Sequence, residues 1–172
     1  MQIIYGKKMI IGLLACSGLF SAASHAVNID ITGKVVASPC VVNGNNESLA
    51  VNLGDNIQAD SLATSGSTTA WTDVTLRLTG CPASTTSFSV AFAGTADTDG
   101  NYYKNTGTAT NLKLELTDST SNTAYKNGAT LQNVAIPASH SYDLAMRARA
   151  VSTGNVLPGT IVGQVQATFT YQ

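Results

Sequence analysis

Charged residues make up only 11% of the chain and aromatic residues only 6%, whereas an average soluble domain is about 25% charged. The sequence contains no Gly-rich phosphate loop, no CxxC pair and no pair of histidines at metal-ligand spacing. Helical spacing of apolar residues is also missing after Ala26. These absences argue against an enzyme and leave no basis for a cofactor or a metal.

The first 26 residues have the order of a secretory signal peptide. Lys7 and Lys8 precede an apolar run from Met9 to Phe20, and small residues follow up to Ala26. The run is too short for a membrane anchor. We therefore expect residues 1–26 to be a signal peptide, with cleavage after Ala26 and export of the remainder.

A second interpretation of this leader is a lipobox, because Leu13, Leu14 and Ala15 precede Cys16. The apolar core before Cys16 is short, and the sequence after it continues into a good conventional cleavage site. Conventional cleavage is the better interpretation, and it discards Cys16.

After export the chain is the size of one domain. Of the nine basic residues, Lys7 and Lys8 leave with the leader, so acidic residues outnumber basic ones by three. A nucleic-acid-binding protein needs a basic face, and this acidic balance argues against that class. Cys40 and Cys81 remain, and an even pair in an exported chain predicts one disulfide, with a metal pair as the weaker alternative.

Thr, Ser, Gly, Asn and Val are abundant, and short runs of alternating apolar residues recur between turn-rich stretches. This pattern predicts an all-β sandwich. The expected strands lie at 27–35, 49–53, 74–78, 88–92, 112–116, 142–148 and 161–171.

Three local patterns invite a functional interpretation. His140 lies in a Ser-His-Ser-Tyr-Asp stretch, but neighbours in a strand point to opposite faces, which disfavours a catalytic triad. The stretch Asp97–Asn101 resembles the start of a calcium loop but has Tyr102 where the loop needs glycine. Trp71 is better explained as a core or rim residue than as a sugar platform.

The two ends of the exported chain are the most distinctive segments. At the N-terminal end one face of an extended segment is apolar, and at the C-terminal end an alternating strand runs to Tyr171. An uncovered strand edge is a template for pairing with another chain. Alternation is equally compatible with the first and last strands of a closed sandwich. The N-terminal residues that would share one face are Val27, Ile29, Ile31, Gly33 and Val35.

Together these residues resemble the pilin family of chaperone-usher pili over nearly all of 27–172. The family pattern includes a cysteine pair at this spacing, a penultimate tyrosine, here Tyr171, and a glycine fourteenth from the C-terminus, here Gly159. The stretches Gly33–Cys40, Asn52–Asp55 and Gly94–Asp97 are similar to those of adaptor subunits at the tip of type 1 pili.

The resemblance implies an incomplete immunoglobulin-like β-sandwich that lacks its final strand, with residues 27–38 as an N-terminal extension that is donated to a neighbour and residues 39–172 as the pilin domain. It also implies a periplasmic chaperone, an outer-membrane usher and neighbouring subunits including an adhesin as partners, and a final location in the fimbrium at the cell surface. The acceptor groove and chaperone-binding residues would be Gly159, Ile161, Gly163, Val165, Phe169 and Tyr171, with Gly159 at the start of the last strand.

Two alternatives remain. The repeating rod subunit of a related fimbria has the same fold. A carbohydrate-binding adhesin domain would use exposed aromatic residues such as Trp71, Tyr102 or Tyr103, although family adhesins carry a lectin domain ahead of the pilin domain.

Overall fold

The computed structural model describes residues 28–172. Eight β-strands and two one-turn 3₁₀ helices, Asn43–Asn45 and Ala59–Leu62, form in this part of the chain. Within it, no helix is both long and apolar enough to cross a membrane. The strands are β1 (Val41–Val42), β2 (Thr72–Thr79), β3 (Ser87–Gly94), β4 (Tyr103–Lys104), β5 (Thr110–Asp118), β6 (Thr130–Ala135), β7 (Tyr142–Leu157) and β8 (Val165–Tyr171).

The strands form two sheets, ordered β1-β2-β7-β5-β4 and β6-β3-β8. Every pair of neighbours is antiparallel. The 16-residue strand β7 unites the larger sheet, because residues 142–148 pair with β2 on one side and residues from 146 to 157 pair with β5 on the other. The all-β class is confirmed.

The core occupies the space between the sheets in two clusters. Strand β3 shows how the sequence builds it: Phe88, Val90 and Phe92 alternate with small residues and are at most 1% exposed. The main cluster consists of Cys40, Val74, Leu78, Cys81, Phe88, Val90, Phe92, Tyr125, Leu144 and Met146. The second cluster consists of Leu62, Ala109, Leu112 and Ala150.

A disulfide joins Cys40 to Cys81, as the sequence predicts. Both cysteines are buried in the main cluster, and the bridge ties the chain just before β1 to the chain just after β2. With a sequence separation of 41 between its cysteines, it stabilises the fold by about 4 kcal/mol in the chain-entropy model.

Several strand predictions were wrong in extent. Residues 28–35 and 49–53 belong to no strand, and the last strand begins at Val165 rather than at Ile161 or Gly159. Alternation indicates that one side of a segment can be buried, but a β-strand also needs a neighbouring strand to which its backbone can hydrogen-bond. The signal peptide and Val27 lie outside the described residues, so those interpretations remain predictions.

The turn after β5 depends on a carboxylate. Asp118 accepts hydrogen bonds from the backbone amides of Thr120 (2.9 Å) and Ser121 (2.6 Å) and from the hydroxyl of Tyr125 (3.0 Å). These bonds, above all the one from Ser121, lower the pKa of Asp118 below its ordinary value. The turn is therefore stabilised by the ionised form.

The replacement Asp118→Asn should destabilise the fold at neutral pH by about 1 kcal/mol, allowing for solvent screening at this turn. Because folding lowers the pKa, the stabilisation is complete above about pH 4, the usual value for aspartate, and disappears as the pH falls through the lower folded value. Urea unfolding at neutral pH and at about pH 2, followed through Trp71 fluorescence, tests this. An equal loss at both pH values would contradict it, and Asp60→Asn at an exposed site serves as the control.

Candidate interaction groove

Strand β8 lies at the edge of its sheet. Within residues 28–172 it pairs with β3 along one side only. Its inward side chains pack against the main cluster but stay half-buried, whereas the inward side chains of β3 are almost fully buried. The core is thus incompletely covered along β8. These inward residues are Val165, Ala167, Phe169 and Tyr171.

The two aromatic residues of β8 extend the core toward the disulfide end of the sandwich. The ring of Phe169 lies 5.8 Å from that of Phe88 and 6.5 Å from that of Tyr171. Burial raises the pKa of Tyr171, and the backbone amide of Cys40 opposes that shift by hydrogen bonding. Tyr171 is therefore an amphipathic side chain at the end of a partly open apolar surface.

The segment that leads into β8 is held by the connection between β4 and β5 rather than by a sheet. The amide of Ala109 donates to the carbonyl of Thr160 (3.0 Å), and that of Thr106 donates to the carbonyl of Val162 (2.8 Å). Ile161 packs against the second cluster. The predicted acceptor residues Ile161 and Gly163 thus precede the strand.

Two glycines of this segment lie in close contact with other residues. A Cβ atom at Gly159 would overlap the backbone of Thr108 and Ala109, and one at Gly163 would overlap a terminal methyl group of Leu114. Backbone cannot move aside easily, so Gly159 must be glycine, whereas the flexible side chain of Leu114 can adjust at Gly163. Gly159 was expected to begin the last strand; it instead anchors the chain six residues before that strand.

The extended segment 49–53 carries partly exposed apolar residues that were not predicted as interaction residues. Leu49 and Val51 are 41% and 40% exposed, while Leu53 packs against the second cluster, as Ile161 does. Alternating leucine and valine in the sequence already signalled a one-sided apolar segment. The structure shows that this apolar side stays partly uncovered.

The N-terminal segment has still more exposed apolar surface. Ile29, Ile31 and Val35 are 82%, 91% and 99% exposed, and no atom lies within 4 Å of a Cβ added at Gly33. Exposed apolar side chains in such numbers on one short segment are typical of an interaction site. Val27, the first predicted member of this set, lies outside the described residues.

The other candidate sites do not form. His140 lies in a turn with φ of 53°, and Asp143 is engaged by Arg77 at 2.9 Å. Asp97 accepts hydrogen bonds from its own loop, and no group of three or more potential metal ligands occurs within residues 28–172. The structure therefore gives these residues local structural roles.

The aromatic residues of the adhesin alternative are covered. Tyr103 is 2% exposed, so its expected exposure was wrong. The guanidinium carbons of Arg147 and Arg149 lie 4.3 and 4.0 Å from the ring centre of Trp71. The ammonium of Lys113 lies 3.8 Å from that of Tyr102. Cation–π pairing thus occupies at least one face of each of these two half-buried rings.

The fold, the unpaired edge of β8 and the exposed N-terminal residues define a class of protein: a β-sandwich with an open edge strand and an apolar segment ahead of its first strand. Comparison with known proteins agrees with this class. Residues 29–172 match the family described as Fimbrial protein. The chain is similar to Protein FimG of Escherichia coli strain K12, at 41% identity over 92% of this chain and 94% of the relative.

It is also similar to the S-fimbrial adhesin protein SfaS of Escherichia coli O6:K15:H31, at 37% identity over 93% of each chain. The P pilus rod subunit PapA has a similar fold, with a TM-score of 0.63 and 16% identity over 84% of this chain and all of that one. The chain belongs to the fimbrial protein family and is a structural subunit of a pilus. Its incomplete immunoglobulin-like fold is that of chaperone-usher pilins.

The two glycines Gly159 and Gly33 should respond differently to the same replacement. Gly159→Ala should destabilise the subunit by about 1–3 kcal/mol, because the added methyl group overlaps backbone that cannot move aside easily. Gly33→Ala should leave its stability unchanged, because that position is open. Urea unfolding measures both. Equal stability of the two variants would show that the contact at Gly159 is not tight.

Proposed function

We propose that this pilus subunit is a tip adaptor of a type 1-like fimbria, which links an adhesin to the rest of the fibre by donor-strand exchange. In this mechanism each subunit accepts a strand from one neighbour and donates its own N-terminal extension to the next. The resemblance of Gly33–Cys40 and Asn52–Asp55 to tip adaptor subunits supports the adaptor role. The half-buried inward face of β8 is the observation that carries the acceptor role.

The groove would accept a strand along the unpaired edge of β8. A ninth strand there supplies partners for the free amides and carbonyls of β8 and covers its inward side chains. Phe169 and Tyr171 would then line the groove near the disulfide, and Ile161 and Gly163 its other end. Leu49 and Val51 are candidates for its second wall, since they too are apolar and partly exposed.

The donor would be the N-terminal extension of a neighbouring subunit. Val27, Ile29, Ile31 and Val35 share one face, and Gly33 would let the backbones approach where a side chain would clash. Burial of three or four such side chains, at roughly 1.5–3 kcal/mol each, adds on the order of 5–12 kcal/mol before ordering costs. A joint of this strength is long-lived without a covalent bond.

The same groove explains why partners are needed before assembly. An uncovered apolar edge exposes the subunit to aggregation, so a periplasmic chaperone would cover β8 until an outer-membrane usher replaces it with the next subunit's extension. The predicted signal peptide supplies entry to the periplasm. Fimbrial family membership supports a final location of the fibre at the cell surface.

The alternatives have less support. The fold likeness to the rod subunit PapA, at 16% identity, does not distinguish a rod subunit from an adaptor. The relative SfaS is named as an adhesin, but the covered rings of Trp71 and Tyr102 and the burial of Tyr103 disfavour sugar stacking at these residues. The adaptor role therefore stands as the proposal.

The donor role can be tested by replacing one residue on each face of the extension. Ile31→Asn should abolish incorporation into fibres, because it would place an amide in an apolar groove. Thr32→Asn, on the opposite face, should leave incorporation nearly unchanged. Fibre incorporation is measured in cells by the ratio of assembled to periplasmic subunit, with the chaperone-bound amount as the control for folding. Normal incorporation of Ile31→Asn would contradict the donor assignment.

A further inference from the structure

Two apolar side chains outside the groove are exposed at the end of the sandwich where β8 begins. Leu157, the last residue of β7, is 58% exposed, and Val162 is 51% exposed. The connection that holds this end brings them to the same region, because Thr110 pairs with Leu157 and Thr106 donates to the carbonyl of Val162. Neither side chain belongs to a core cluster.

The N-terminal extension also carries an exposed apolar residue outside its donor face. The face opposite the apolar donor residues is polar at four alternate positions and then becomes apolar at Val36, which is 68% exposed. Alternation therefore breaks where the extension ends and the domain is about to begin. The four polar positions are Asn28, Asp30, Thr32 and Lys34.

The direction expected for the missing strand connects these two features; this step rests on the proposed function. All strand pairs of both sheets are antiparallel, and the final strand of an immunoglobulin-like sheet is antiparallel to its neighbour. A register that aligns the two apolar faces along their whole length places Val27 opposite Tyr171. The same register places Val36 opposite Val162.

The short segment between Val36 and Cys40 limits where the body of the donating subunit can lie. Cys40 is fixed to the body of the donating subunit by the disulfide, and four residues span at most about 14 Å from Val36 to Cys40. The donor's body must therefore lie against the end of the acceptor that carries Leu157 and Val162. We infer that Leu157 and Val162 form an apolar seat for the side chain that a donated extension carries at the position of Val36, outside the groove and at the junction of the two bodies.

A double-mutant cycle tests the seat. The acceptor is the full exported chain, and the donor is a synthetic peptide of residues 27–38, labelled so that its dissociation rate can be measured. Val36→Asn in the peptide and Val162→Asn in the chain should each accelerate dissociation by about 3- to 10-fold. Because both remove the same contact, the doubly substituted pair should dissociate no more than about 2-fold faster than the faster of the two singly substituted pairs. Lys34→Asn in the peptide, on the same face, should change the rate little.

Two outcomes would overturn the seat: no acceleration by Val36→Asn, or acceleration of equal size in the wild-type and Val162→Asn chains. Urea unfolding of the chain without peptide checks that Val162→Asn leaves the fold intact. A peptide carrying Ile31→Asn separates the two proposals. If Ile31→Asn weakens binding and Val36→Asn does not, only the seat fails; if neither does, the groove itself is wrong.

Discussion

The unpaired edge of β8 is the constraint on which the rest of this structure depends. On one side β8 is bonded to β3 along its whole length, so its position and the direction of its side chains are fixed. On the other side, within residues 28–172, its backbone has no sheet partner. The strand is therefore held firmly enough to present a defined surface and is still open to a further strand.

The surrounding residues keep that edge in place. The disulfide secures the chain at one end, near Tyr171, where the backbone amide of Cys40 interacts with the phenol. At the other end the backbone of Thr108 and Ala109 leaves no room for a side chain at Gly159, and Gly163 lies against the side chain of Leu114. Both ends of β8 are thus anchored by contacts between residues that are distant in sequence. Such anchoring makes an edge strand rigid before any partner arrives.

The sequence predicts the strands that have partners better than it predicts the others. Val74, Leu76 and Leu78 alternate because one face of β2 is buried, and the strand forms as expected. The same alternation at 49–53 produces no strand, because periodicity does not indicate whether the backbone of a segment has a neighbouring strand to pair with. Strand β6 was missed because Asn133, with φ of 54°, interrupts its alternation. Strands β1 and β4, of two residues each, are too short to show a period.

The candidate site was predicted in part, for different reasons at different residues. Phe169 and Tyr171 follow from alternation, whereas Gly159 came from a family pattern, and the backbone contact that explains it joins positions about 50 residues apart. The covering of Trp71 by Arg147 and Arg149 depends on side chains of another strand. Contacts of this kind depend on topology, which local patterns do not encode.

The central claim is that the free edge of β8 is completed by the N-terminal extension of another copy or relative of this chain. Hydrogen exchange of the β8 backbone amides that point away from β3 tests it most directly, in the exported chain with and without a peptide of residues 27–38. We expect these amides to exchange rapidly in the free chain and to slow by at least about 100-fold when the peptide is bound. Slow exchange without the peptide, or binding of the peptide without protection of β8, would contradict the claim.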